Sequence, residues 1–155
     1  MKLTDFLTPA RIADGARAGS KKRALEMLSE LLTHGTDLTP GEAYESLLAR
    51  ERLGGTGLGH GVAIPHGRLK HAGPMLGAFV HLLKAVDYDA PDKQPVDLLF
   101  ALLVPEQSSE EHLQALALLA EMLRDKMLRE ELRQAKSGAE LFDLLTRWRS
   151  RAAPS

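Results

Sequence analysis

Between Pro95 and Pro105 the chain carries PVDLLFALLV, an apolar run broken only by Asp97. A strand with one wet face would alternate polar and apolar residues, and a membrane span would need 18 or more apolar residues. A run of this length closed by prolines reads as a central strand buried on both faces, which commits the chain to helices above and below a sheet. Gly77–Leu83 (GAFVHLL) is a second apolar run of strand length.

The helices announce themselves by their caps. Ser20 precedes Ala24, Leu25, Leu28, Leu31 and Leu32, spaced for one buried helical face. Lys21, Lys22 and Arg23 in its first turn read as a solvated end, with a docking patch for an acidic partner surface as the alternative. Thr39-Pro40-Gly41-Glu42 is a capping box with proline at the first helical position, backed by Tyr44, Leu47 and Leu48, and predicts a helix to about Leu53. Ser108-Ser109-Glu110-Glu111 and Ser137-Gly138-Ala139-Glu140 predict two more, the first carrying Leu113, Leu116, Ala117, Ala120 and Leu123 and the second Leu141, Leu144, Leu145 and Trp148. Helices, then strands, then helices predict a single α/β domain over residues 1–150, a mixed sheet covered on both faces, with a flexible tail at 151–155.

With 20 Lys and Arg against 21 Asp and Glu, the net charge of −1 offers no global attraction to nucleic acid. The absence of cysteine removes disulfides, thiolate metal sites and thiol catalysis, and fits a reducing compartment. Neither a membrane span nor a signal-peptide pattern at Met1–Asp5 is readable, so the expectation is a cytoplasmic protein without membrane insertion.

Chemistry concentrates where the helical pattern stops. Gly54, Gly55, Gly57, Gly59, Gly61 and Gly67 fall within fourteen residues, around the segment Gly57-Leu58-Gly59-His60-Gly61-Val62-Ala63-Ile64-Pro65-His66-Gly67-Arg68. No Gly-Lys-Ser/Thr ending exists and a helix, not a strand, precedes it, which excludes a nucleotide loop. Val62–Ile64 reads as a very short strand, and Pro65 with Gly67 presents His66 at a strand end. Glycine amides at Gly57, Gly59, Gly61 and Gly67 can turn toward an anion, and Leu58, Val62 and Ile64 are expected to form an apolar rim for a partner. His112, in the first turn of its helix, reads either as an exposed helix-start histidine or as a neutral imidazole that donates one hydrogen to a phosphate or carboxylate. Arg50 and Arg52 end the helix before the glycine tract, where an arginine either forks onto phosphate oxygens or complements the helix terminus.

His60, His66, His71, His81 and His112 are five imidazoles, yet no pair has the i, i+4 spacing of a helical zinc site and no HExxH occurs. No metal site is expected. His34 reads as a solvated helix terminus and His81 as a sheet side chain. The serines lie on helices or their caps with no GxSxG elbow, which argues against a serine hydrolase.

RERLGGTGLGHGVAIPHGRL (Arg50–Leu69) together with QPVDLLFALLVPEQSSEEHLQAL (Gln94–Leu116) resembles enzyme IIA of the bacterial phosphoenolpyruvate-dependent phosphotransferase system, in its fructose, mannitol and nitrogen-regulatory class. The likeness covers essentially the whole chain. It implies a sheet of about five strands with helices on both faces, His66 as the phosphorylated residue through Nε2, His112 as its supporting histidine, and Arg50 as the phosphate-facing arginine. His60 departs from the asparagine or other polar residue common at that place. A stand-alone domain with SKKRALEMLSELL near its start is most similar to the nitrogen-regulatory branch. That branch implies a histidine phosphocarrier donor, HPr or its nitrogen paralogue, and regulatory targets such as potassium transporters or sensor kinases. Phosphoryl transfer between histidines calls for no metal or organic cofactor. The IIA part of a fructose/mannitol-type permease, and a binding module whose His66 is never modified, are the alternatives.

Overall fold

The structure, a computed structural model, describes residues 1–70, 73–107 and 109–150. Two 3-10 turns, Leu3–Asp5 and Pro9–Arg11, lead into strand β1 (Ile12–Ala16), followed by α1 (Lys21–Leu32) and α2 (Pro40–Leu53). Three short strands come next, β2 (Gly57–Gly59), β3 (Val62–Ala63) and β4 (His66–Leu69), and then two long ones, β5 (Leu76–Val86) and β6 (Val96–Pro105). Helices α3 (Ser109–Arg124), α4 (Lys126–Gln134) and α5 (Gly138–Arg147) complete the chain.

The six strands form one mixed sheet in the order β1-β5-β6-β3-β2, with β4 also on β6. β5 and β6 are antiparallel, whereas β1 runs parallel to β5, and β3 and β4 parallel to β6. Val62 lies opposite Leu98 and His66 opposite Leu102, so β3 and β4 are two pieces of one strand line in a single register. The line lapses at Ile64 and Pro65, where proline offers no N–H, but the Pro65 carbonyl still accepts from the Leu102 amide at 3.0 Å.

Alternation along the strands sorts the core. Val62, Ile64, Phe79, Leu98, Phe100 and Leu102 meet Leu119, Leu128 and Leu141 of the C-terminal helices. Ala63, Val80, Leu99, Ala101 and Leu103 meet Leu28 and Leu47 of α1 and α2. Every residue of β6 except Asp97 is buried, as the proline-bounded run requires. Phe79 and Phe100 are fully buried with ring centroids 5.9 Å apart, and side chains of this size each stabilise the fold by about 1.5–3 kcal/mol on burial.

The capping signals at α1 and α2 operate as read: Ser20 Oγ accepts from the Arg23 amide at 3.1 Å, and Thr39 and Glu42 close a reciprocal box. Ser137 caps α5, but the Glu140 carboxylate turns back to the Lys136 amide at 2.6 Å, so that box stays open. The Ser108 signal and the 151–155 tail lie outside the described residues. Where one very short strand was expected at Val62–Ile64, the glycine tract gives rise to three short strands. Edge strand β1 went unread, as did the division of the last half into α3 and α4 by Asp125, whose Oδ1 accepts from the Met127 and Leu128 amides.

Two polar clusters stitch the layers. Buried Glu51 of α2 takes Lys21 Nζ at 2.9 Å, Tyr88 Oη at 3.1 Å and both the amide and hydroxyl of Thr56. Lys21, read as solvated, also covers the Tyr88 ring at 4.4 Å. On the opposite face Asp97 receives Arg133 through Nε and Nη2, while His81 joins Asp14 at 2.8 Å. Gly61 sits against this second cluster with φ +77°, its carbonyl accepting from the Asp97 and Leu98 amides. A Cβ there would meet Arg133 Nη2 and Asp97 Oδ1. Gly61→Ala is therefore expected to lower unfolding free energy by about 2 kcal/mol, from left-handed backbone strain plus displacement of Arg133. Urea denaturation checks this as a lower midpoint at unchanged slope.

Candidate functional site

His66 opens β4 directly after the lapse in the strand line. Its Nδ1 lies 2.8 Å from the Ile64 carbonyl oxygen. A carbonyl only accepts, so Nδ1 carries the hydrogen and Nε2 holds the lone pair. Burial lowers the His66 pKa; the Ile64 hydrogen bond and Glu51 pull it up, and Arg50 and Arg68 push it further down. The net effect leaves a neutral imidazole at pH 7, with Nε2 ready to act as a nucleophile.

Gly67 brings a helix to this histidine. A Cβ at that position would lie 2.8 Å from the Ser46 carbonyl oxygen, so only glycine lets α2 rest on β4 here. Ser46 Oγ then donates to the Arg68 carbonyl at 2.9 Å. One turn further along α2, Ala49, Arg50 and Leu53 join Ser46, His66, Gly67, Arg68 and His112 around an open pocket of about 450 Å³. Arg50 does both things foreseen of an arginine at this place: Nη1 donates to the Gly54 carbonyl at the helix end, at 2.7 Å, and the side chain lines the pocket.

His112 comes from the other face of the sheet, in the first turn of α3, and is 7% exposed. Its ring centroid is 5.3 Å from that of His66, the planes inclined at 66°. Nδ1 accepts from Arg68 Nε at 3.2 Å, and Nε2 is buried without a hydrogen-bond partner among the described residues. Burial first, then His66, Arg68 and Arg50, bring its pKa down to about 4. Two neutral imidazoles and two guanidinium groups thus converge at the sheet edge, an arrangement suited to holding and passing a doubly charged tetrahedral anion.

His66, His112, Arg50 and Gly67 come together as the sequence suggested; other expected members do not. Gly57 packs on Tyr88 and Ala90, Gly59 faces Asp92, and Gly61 faces Arg133 and Asp97, so these glycines serve the β2–β3 hairpin and not the pocket. Val62 and Ile64 are 1% and 4% exposed, because inward alternation on β3 sends them into the core under α3–α5. They cannot form a rim. Leu58 is exposed, but the apolar surface at the pocket is Leu53, with Leu113 beside His112 also exposed. His60 occupies the hairpin turn with φ +57°, its amide on Asp92 and its carbonyl on Arg133, and it does not line the pocket. Arg68 was missed. The two-residue period of a strand beginning at His66 could have found it, since residues i and i+2 share a face. Among the described residues no three His, Asp or Glu side chains are arranged to hold a metal ion; His71 lies outside them.

The profile of the family described as phosphoenolpyruvate-dependent sugar phosphotransferase system, EIIA 2, matches residues 5–148. The nitrogen regulatory protein of Escherichia coli K12 is 48% identical over 128 residues, 82% of this chain and 78% of that protein. The crystal structure of nitrogen regulatory protein IIA-Ntr from Neisseria meningitidis superposes with a TM-score of 0.84 at 42% identity, covering 92% of this chain and 97% of that one. The crystal structure of IIA mannitol from Escherichia coli superposes with a TM-score of 0.76 at 25% identity, over 90% and 98%.

Below pH 6.5 the unfolded chain takes up protons that folded His66 and His112 refuse, so their stabilising contribution is present above pH 6.5 and is lost as pH falls toward 4. Titration of the ring signals by NMR is expected to place the His112 midpoint near 4 and that of His66 below 6.5. A midpoint at or above 6.5 for either ring would contradict the burial account.

Proposed function

Because the chain belongs to the EIIA 2 family of the phosphoenolpyruvate-dependent sugar phosphotransferase system, we propose that it is a phosphohistidine carrier of the nitrogen-regulatory kind, receiving a phosphoryl group on Nε2 of His66. The observation that carries this reading is the His66 tautomer: the Ile64 carbonyl ties up Nδ1 and leaves the Nε2 lone pair beside a cationic pocket. The donor is a histidine phosphocarrier protein, HPr or its nitrogen paralogue, and the exchange takes place in the cytoplasm.

The transfer is an in-line displacement. The Nε2 lone pair of His66 forms the new N–P bond as the N–P bond to the donor histidine breaks and returns its electron pair to that nitrogen. No proton has to leave His66, since Nδ1–H keeps its bond to Ile64. The transition state is loose, with charge spread over three phosphoryl oxygens, so catalysis consists of positioning and electrostatic stabilisation. Arg50 and His112 meet that charge. The fixed imidazole keeps the phosphoryl group transferable.

Regulation follows from what a partner meets at the pocket. A protein burying Leu53 and Leu113 faces either neutral imidazole or a group with about two negative charges. The phosphorylated ring, which keeps Nδ1–H and so bears one positive charge, offsets only part of this, and burying the net negative charge without a partner is costly enough to separate the two states. Potassium transporters and sensor kinases are the kinds of target this reading assigns. The higher identity to the nitrogen regulatory proteins than to IIA mannitol favours it over service in a sugar permease.

Incubation with phosphoenolpyruvate, enzyme I and the phosphocarrier is expected to add one acid-labile phosphoryl group, seen by intact mass, and His66→Ala to accept none. Label on His66→Ala, or acid-stable label on the wild type, would overturn the assignment. Single-turnover transfer is expected to slow by about a hundredfold in Arg50→Ala and in His112→Ala, the scale of one lost charge-stabilising donor. Full speed in both would remove them from the mechanism.

A further inference from the structure

His112 is held from one side only. A guanidinium has donors and no acceptor, so the 3.2 Å contact from Arg68 Nε makes Nδ1 the lone-pair nitrogen of the His112 ring. The ring hydrogen of the neutral form must then sit on Nε2. That nitrogen is buried and has no hydrogen-bond partner among the described residues, in a side chain that is 7% exposed. A donor sealed from water and left unsatisfied is retained at a free-energy cost, which points to an acceptor present in only one state of the protein. The adjacent ring is His66, 5.3 Å away between centroids.

We propose that Arg68 is a positioning residue: by donating Nε–H to Nδ1 it locks His112 in the Nε2–H tautomer, so that the buried N–H stands ready to donate to a phosphoryl oxygen on His66. This rests on the phosphocarrier reading of His66 and adds what prepares the supporting histidine. Arg68 is itself well anchored for the task. Its backbone pairs with Val104 of β6, its carbonyl is held by Ser46 Oγ, and its two-residue spacing from His66 points both side chains to the face that α3 covers. Freed from Arg68, a neutral imidazole would divide between tautomers, and the Nδ1–H form would turn a lone pair toward the phosphoryl oxygens. An imidazole caught in the wrong tautomer loses its role although its position is intact.

The competing explanation is that Arg68 acts by charge alone. Three readouts on the full chain separate the two. First, long-range proton–nitrogen NMR of the His112 ring at pH 7 is expected to show a single Nε2–H tautomer in the wild type and a mixture in Arg68→Met. Second, Arg68→Met is expected to lower the transfer rate from saturating phosphocarrier about tenfold, with the donor concentration for half-saturation unchanged. Third, the same substitution made in His112→Ala is expected to cost nothing further, because Arg68 acts through His112. A wild-type Nδ1–H tautomer, an unchanged tautomer in Arg68→Met, or an equal additional loss in the His112→Ala background would each overturn the proposal. Failure of the wild type to accept phosphate on His66 would instead sink the carrier reading, while the tautomer measurement would still be decided by its own result.

Discussion

The free edge of β6 is occupied by one strand line that stops and restarts at a proline. β3 and β4 keep the same register on β6, yet between them Ile64 turns its amide to the Thr56 carbonyl and Pro65 has no amide to give. In a continued β2–β3 ladder the Ile64 carbonyl would accept from the Thr56 amide, but that amide goes to Glu51 instead. Released from it, that carbonyl takes the Nδ1–H of a histidine two residues on and so settles which nitrogen faces the pocket. The chemistry of His66 is thus set by a hydrogen bond that the sheet gives up, and β6, buried on both faces, holds the two pieces rigidly enough for the gap to stay where it is.

Around that gap each sheet face contributes one wall. Gly67 lets α2 touch β4 and brings Arg50 from the N-terminal layer, while the start of α3 brings His112 from the C-terminal layer. Because β4 is at an edge, side chains from the two helices reach the same pocket beyond the strand. Burial keeps both imidazoles neutral, and the nearby arginines deepen that neutrality. The positive charge therefore resides on guanidinium groups, and Nε2 of His66 keeps its lone pair.

Much of this was legible in the sequence because its signals are local. Thr39, Pro40 and Glu42 specify a helix start through contacts within four residues, and the prolines around β6 mark its ends. His66 and His112 stood out by their neighbours. What escaped depends on partners far away along the chain. β1 is a short edge strand whose register is set by Phe79 through Leu82, and nothing in Ile12–Ala16 announces them. The hairpin glycines resemble an anion loop until Tyr88, Ala90, Asp92, Asp97 and Arg133 are seen filling the space beside them. Val62 and Ile64 were misplaced because a two-residue strand is too short to display which face is inward, and Arg68 because its role lies in a contact 44 residues distant.

Glu51 follows Arg50 immediately on α2, and a carboxylate so close would ordinarily be the natural mate of that guanidinium. It is engaged instead by Lys21, Thr56 and Tyr88 in a buried cluster. Among the described residues no carboxylate pairs with Arg50. The cluster that fastens α1 to α2 therefore also withholds the Glu51 carboxylate from direct pairing with Arg50, while its charge still reaches His66 and pulls that ring's pKa up. An arginine next to an acid in sequence is left, in space, with its charge unspent.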